Sequence, residues 1–446
     1  MQFLKQLFER KSSNSRFNHP PDASIPSGKS FYDVALDCRL VNRPVGLRRG
    51  VLCGLVCGMA ISASAAEPSE WRGFRGDGTS AASKAPMQLS IDEGMLWEAE
   101  MPGESVASPI IVQGQVISTS SAGQDGERMF ITSVGLDDGK VRWEQSFEAT
   151  GRPYCHPTSA NAAPTPVSDG ERIIAFFSSN DLICLSAEGD LLWYRGLGFD
   201  YPQAGNDIGM ASSPTLADGV VVVQVEAQGD SFAAGIDAQS GQTLWRIDRP
   251  RSSNWSSPIT VKRPDDSTEV VLQSGRGLVA VDPRSGRERW TIEDGRGTTP
   301  SPTAAGGLLL APGNDLLAVD IGSSATTPEI AWQENKLAPR SASVAVQGDR
   351  LYSLKGSVLV AAELKSGEML WQQRLTGVKS TWATPVVADG NLYVADQSGT
   401  IVVVRDRGDE AEVVSKVDVE EPVLASPAVA DGKLVIRGKR TLYCFQ

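Results

Sequence analysis

The sequence predicts an all-β protein, an eight-bladed β-propeller of four-stranded antiparallel blades. Three observations lead there. A cassette of Gly, three residues and Trp recurs five times, at Gly139–Trp143, Gly189–Trp193, Gly241–Trp245, Gly286–Trp290 and Gly367–Trp371. Trp97 and Trp332 sit in similar apolar segments, and the gaps between the seven tryptophans run 46, 50, 52, 45, 42 and 39 residues. A period of that size marks one supersecondary unit repeated. A Ser/Thr-Pro pair also opens an apolar run at Ser108, Thr165, Ser213, Ser257, Ser301, Thr384 and Ser426, with Ser343-Val344 as a degenerate eighth copy. Finally, no amphipathic helical pattern of 12 residues is present, while 44 Gly and 26 Pro are scattered as turn punctuation.

Each strand of the unit has its own signal. Proline opens the first strand, where the N–H it lacks costs the ladder little. Two-residue turns join the first strand to the second: Asp169-Gly170, Asp218-Gly219, Gly306-Gly307, Asp389-Gly390 and Asp431-Gly432, with Gln113-Gly114 and Gln347-Gly348 as weaker versions. Such pairs suit hairpins whose twist demands positive φ. The third strand ends in a turn, and the fourth carries the tryptophan. Blade 7, Val402 to Val417, has lost its tryptophan. The chain finishes on a third strand, Thr441 to Gln446, while an orphan Trp strand, Met95 to Glu98, stands near the beginning. Together they make an eighth blade that joins the two ends of a propeller spanning 94–446.

The N-terminal region has a different character. Residues 1–65 carry 9 basic and 4 acidic side chains, so residues 66–446 carry 33 basic and 50 acidic ones, a net −17. A body that acidic disfavours general binding to nucleic acid. Arg43, Arg48 and Arg49 precede an apolar run, Gly50 to Ser62, and then Ala63-Ser64-Ala65. This order is that of an export signal over 43–65, with Ala66 the first mature residue and no membrane span after cleavage. Residues 1–42 are a disordered extension or precede a true start near Val45. Residues 66–93 form a lead segment. Cleavage leaves three cysteines, Cys155, Cys184 and Cys444, an odd number that makes no disulfide framework.

The third turn and fourth strand resemble a known signature. Ala280-x-Asp282-x-x-Ser285-Gly286-x-x-x-Trp290 is similar to the tryptophan-docking motif of the pyrroloquinoline quinone (PQQ)-like repeat family, and the segments ending at Trp245 and Trp371 follow it closely. Trp71 to Gly78 resembles the opening of secreted bacterial members. The resemblance implies that Trp97, Trp143, Trp193, Trp245, Trp290, Trp332 and Trp371 are structural, each packed on the Gly and peptide planes of a neighbouring blade. It also implies two functional branches: dehydrogenases that use PQQ with a metal such as calcium, and propellers without a quinone, including the subunit of the outer-membrane protein assembly machinery. The alcohol dehydrogenases of the first branch carry neighbouring, disulfide-linked cysteines, and this chain has no such pair.

Catalytic signals are sparse. His156 is the one histidine after residue 66, and no GxSxG elbow, Walker loop or CxxC pair accompanies it. No metal site and no catalytic residue are expected. The connectors after each fourth strand and the turns between second and third strands should share one face. They hold Arg152, Tyr154, His156, Tyr201, Asn206, Asp207, Trp255, Arg276, Arg340, Lys379 and Trp382, with Arg437 nearby. Trp255 and Trp382 lie outside the docking cassette, and serve either as binding anchors or as plugs of the central channel. The expectation is an exported, monomeric, non-catalytic scaffold in the periplasm or cell envelope that binds a protein or small ligand and needs no cofactor. The alternative is a PQQ-dependent dehydrogenase of alcohols or sugars.

Overall fold

A computed structural model describes residues 84–205 and 208–446. The proposed extension 1–42, the export signal, the first part of the lead segment, Asn206 and Asp207 lie outside them. Among the described residues the strands form eight four-stranded antiparallel sheets, seven of them in simple meander order. Blades 1 to 7 span 110–148, 167–196, 215–248, 259–292, 303–334, 345–374 and 386–418. Blade 8 takes its first three strands from 428–445 and its fourth from Met95–Glu100, which pairs antiparallel with Thr441–Phe445.

The hairpin turns follow the backbone demands of their residues. Asp218 and Gly219 have φ of 50° and 76°, and Asp389-Gly390, Asp431-Gly432 and Gly306-Gly307 are likewise positive at both positions. Gln113-Gly114 adopts the same geometry at 50° and 73°. Asp169-Gly170 departs from it, with positive φ at Gly170 alone. There the Asp169 carboxylate accepts from the backbone N–H groups of Glu171 and Arg172 and pairs with the Arg172 guanidinium at 2.6 Å.

Second and third strands are almost wholly buried, and their apolar side chains form the cores between blades. The outer strand holds the tryptophan, and each tryptophan docks on the next blade. A Cβ on Gly189 would sit 2.6 Å from the Trp143 ring. Trp97 meets Gly139, Trp193 meets Gly241, Trp245 meets Gly286 and Trp332 meets Gly367 in the same way. These five indole N–H groups donate to a carbonyl of the turn they cover, at 2.8–3.1 Å. Blades 5 and 7 lack the cassette glycine, and Trp290 and Trp371 donate instead to carboxylates, Glu269 of Trp290's own blade at 2.7 Å and Asp406 of blade 7 at 3.1 Å. The turn aspartates tie the motif together: Asp282 accepts from both the N–H and the hydroxyl of Ser285, at 2.9 and 2.8 Å.

A β-bulge precedes the docking position in every outer strand. The bulged residues include Leu96, Leu192, Leu244 and Leu370, all exposed. Bulges twist an edge away from flat pairing and so blunt the outer rim.

Candidate functional site

The innermost strands surround a central channel, and the Ser/Thr of each opening pair supplies a structure that its local sequence did not reveal. The N–H of Ser108 donates to the hydroxyl of Thr165 at 3.0 Å, Thr165 to Ser213 at 3.0 Å, Ser213 to Ser257 at 3.0 Å and Ser257 to Ser301 at 2.9 Å. Ser301 then donates to Ser343 at 3.0 Å, Ser343 to Thr384 at 3.3 Å, Thr384 to Ser426 at 2.9 Å, and Ser426 back to Ser108 at 2.9 Å. Eight bonds run once around the ring. All eight residues are buried, and at seven of them the following proline rigidifies the strand just past its link. Ser343, whose proline is replaced by Val344, keeps its place because the hydroxyl carries the bond.

Above this ring lies a cavity of about 500 Å³, the mouth of the channel. The ring hydroxyls form its floor. Trp255, Trp382, Val106, Ile208 and Leu424 supply apolar wall, and His156, Thr158, Ser159, Thr299 and Ser341 supply polar groups. Trp382 is 45% exposed. Trp255 is half-buried, its indole N–H donating to the Gly209 carbonyl at 2.8 Å. The His156 Nδ1 accepts from the N–H of Thr158 at 3.2 Å, so in the neutral ring Nε2 carries the proton. Among the described lining residues there is no carboxylate, lysine or arginine.

A buried polar network fixes the connector that bears Trp255. Arg249 Nε donates to Glu226 Oε1 at 2.7 Å, and Asn254 Nδ2 donates to Glu226 Oε2 at 3.0 Å. Asn254 Oδ1 in turn accepts from the N–H of Ser256. Burial pushes the Glu226 carboxyl up, against the opposing pull of Arg249, Asn254 and Gln224.

Of the residues singled out from sequence, the structure brings His156, Trp255 and Trp382 together in the mouth. The Arg152 guanidinium lies over the Tyr154 ring at 5.0 Å, with both side chains exposed. Tyr201 faces a different hollow, of about 310 Å³ with Asp230 and Arg251, where its ring lies tilted against Phe232 at 4.4 Å and the Arg246 guanidinium lies over it at 4.9 Å. Arg276, Arg340 and Lys379 are exposed and lie outside the lining of the mouth. Arg437 is buried, where desolvation lowers its guanidinium to about 10, and it donates to the Gly103 carbonyl and the Ser120 hydroxyl. The three cysteines Cys155, Cys184 and Cys444 are free thiols. Among the described residues no helix is long and apolar enough to cross a membrane.

The repeats of this sequence match the family model described as outer membrane protein assembly factor BamB, in overlapping segments 73–207, 130–352, 312–410 and 355–446. The chain belongs to this family of PQQ-like propellers. No curated protein matches the sequence. Among solved structures, this PQQ-like propeller is similar to BamB from Moraxella catarrhalis, with a TM-score of 0.59 and 17% identity over 79% of this chain and 97% of that one. It is also similar to the quinohemoprotein alcohol dehydrogenase from Comamonas testosteroni, with a TM-score of 0.58 and 12% identity over 79% of this chain and 76% of that one. A europium-containing methanol dehydrogenase gives 0.55 and 11%, over 83% and 89%. At these identities the likeness is one of fold, and it extends to both functional branches.

Proposed function

We propose that this propeller is an exported, non-catalytic scaffold of the cell envelope, and that its partner inserts a neutral apolar or aromatic group into the channel mouth. The observation that carries this reading is the chemistry of the described lining: two indoles, aliphatic side chains, hydroxyls and one imidazole, without a charged group. Apolar pockets with a few placed polar groups are the usual form of a binding site, and exposed tryptophan is common anchor material. The matched family description, an outer membrane protein assembly factor, supports an envelope protein as the partner.

The same lining does not fit PQQ with calcium. Calcium takes about six to eight oxygen ligands, with carboxylates prominent, and the side-chain oxygens of the described mouth are all hydroxyls, eight of which already accept an N–H. PQQ is a tricarboxylate, and no lysine or arginine stands in the described lining to meet it. Among the described residues no cluster of His, Cys, Asp and Glu could hold a metal.

Three measurements test the proposal together. The protein is incubated with PQQ and calcium, then assayed for quinone absorbance and dye-linked oxidation of alcohols and sugars. Uptake of one equivalent with turnover would replace the scaffold by a dehydrogenase. Photocrosslinking from position 158, an exposed residue of the mouth, in the native envelope should capture one dominant protein, and mass spectrometry of the exported form should find Ala66 at its N-terminus.

A further inference from the structure

The missing tryptophan of blade 7 has a structural cause, and the gap it leaves is filled. In blade 6, Trp371 stands opposite Ala361, just after the bulge. The corresponding pair in blade 7 is Ser415 opposite Val403. Each docking tryptophan covers the next blade at its turn from third to fourth strand. In blade 8 that turn does not exist, because the third strand ends at Phe445 and the fourth begins at Met95. The strands meet directly, with Met95 opposite Phe445 and the Gln446 N–H donating to the Gly94 carbonyl at 3.0 Å. A tryptophan at 415 would have no turn to cover.

Residues 86–89 lie there instead. Leu89 is 6% exposed and packs in the core shared by blades 7 and 8, with Val403 and Phe445. Its N–H donates to the Ser415 hydroxyl at 2.8 Å, and that hydroxyl donates to the Leu89 carbonyl at 3.4 Å. The Tyr393 hydroxyl donates to the Pro86 carbonyl at 3.0 Å, and Gln88 Nε2 donates to the Val414 carbonyl at 3.4 Å. One side chain enters an apolar pocket while hydroxyls read the main chain around it. Backbone bonds for affinity and a side-chain pocket for selectivity are the two means by which proteins recognise short peptides.

We propose that the seam between blades 7 and 8 is a peptide-binding groove, specific for a short segment bent at its centre with one buried leucine, and that residues 86–89 are its ligand in cis. The groove is separate from the channel mouth and stands whether or not the mouth binds a partner. Once the cis segment is released, the groove takes the same peptide in trans. The same chain enters the outer strand of blade 8 at Met95, six residues after Leu89, so groove occupancy and ring closure are linked.

The test uses the full chain. Leu89→Asp places a charge in the apolar pocket and expels the cis segment. A fluorescein-labelled synthetic peptide of sequence APMQLSID, residues 85–92, is titrated into this variant and into the wild type. The expected result is one-to-one binding to the variant, at least tenfold weaker binding to the wild type, and none by a peptide with aspartate in place of its leucine. A variant that unfolds cooperatively but binds no peptide, or equal binding by both proteins, overturns the proposal. Should Leu89→Asp not fold, hydrogen exchange in the wild type decides. The Leu89 amide should be protected, and Ser415→Ala should speed its exchange at least tenfold; unchanged exchange overturns the proposal.

Discussion

The backbone N–H of Ser426 donates to the hydroxyl of Ser108 at 2.9 Å, across 318 positions of sequence. It is the one link of the hydroxyl ring that joins the last blade to the first. Ser108→Ala removes the acceptor and leaves a buried N–H unpaired, which costs about 1–3 kcal/mol. Ser108→Thr keeps the oxygen, as Thr165 and Thr384 do elsewhere in the ring, and should lose less stability than Ser108→Ala. Denaturant midpoints of the two variants check both expectations.

Gly189 and Gly390 separate docking from turn geometry. Both have positive φ, 93° and 72°. An added Cβ meets nothing within 4 Å at Gly390, and the Trp143 ring at 2.6 Å at Gly189. Gly390→Ala should therefore cost only the left-handed penalty, about 1–2 kcal/mol. Gly189→Ala should cost more, because it also displaces an indole from the neighbouring interface. Near-ultraviolet circular dichroism should change for Gly189→Ala alone.

The two tryptophans of the mouth should behave differently from those of the cassette. Trp382→Ala removes an exposed side chain and should change stability by less than about 0.5 kcal/mol while abolishing the envelope crosslink. Trp255→Ala also breaks the bond to Gly209 and should cost about 1–3 kcal/mol, with the same loss of crosslinking. Thermal unfolding beside the crosslinking assay separates these outcomes. A large stability loss at Trp382 would assign it to the core.

Arg249 and Glu226 form a buried pair at 2.7 Å, with side chains 4% and 1% exposed. Arg249→Met leaves the carboxylate without its cation and should destabilise by about 3–5 kcal/mol. Adding Glu226→Gln should recover much of that loss, since it removes the orphan charge. A double-mutant cycle by denaturant unfolding measures the coupling.

Acid should loosen the turns before the cores. Hydrogen bonds from the Ser240 hydroxyl and N–H hold the Asp237 carboxyl below its ordinary value. At Asp282 burial works upward, but bonds from Ser285 and Arg289 outweigh it and the net shift is also downward. A carboxyl whose folded value is depressed stabilises fully above its unfolded value, about pH 3.9, and loses that contribution as pH falls toward the folded value. Unfolding midpoints should thus fall below about pH 4. In Asp237→Asn that part of the slope should be smaller.

The blade count and docking tryptophans were legible because their signals are local: a turn, a glycine and an indole within a dozen residues, repeated until chance is excluded. The hydroxyl ring was not. Its members were visible as Ser/Thr before proline, yet each bond partner lies 41 to 57 residues away along the inner seven links, and only the closed ring puts them side by side. Within the candidate site, the composition of the connectors pointed to His156, Trp255 and Trp382. It could not tell them from Arg276, Arg340 and Lys379, because loop residues carry no period that fixes their direction. Tyr201 was drawn away by Phe232 and Arg246, a packing choice that depends on side chains 31 and 45 positions distant. Blade 7 was seen to lack its tryptophan, but the reason lay in the blade beside it.

The paired end strands also set how this ring answers a pull. Met95 stands opposite Phe445, so the two chain ends leave the final sheet at the same corner. Tension between them would peel the strands apart bond after bond, the weakest way to load an antiparallel pair. Before it reached Met95, however, that tension would have to drag Leu89 from beneath Ser415 and Pro86 from Tyr393. A tether acting through the lead segment would thus meet a mechanical fuse ahead of the seam, and the ring would yield there first.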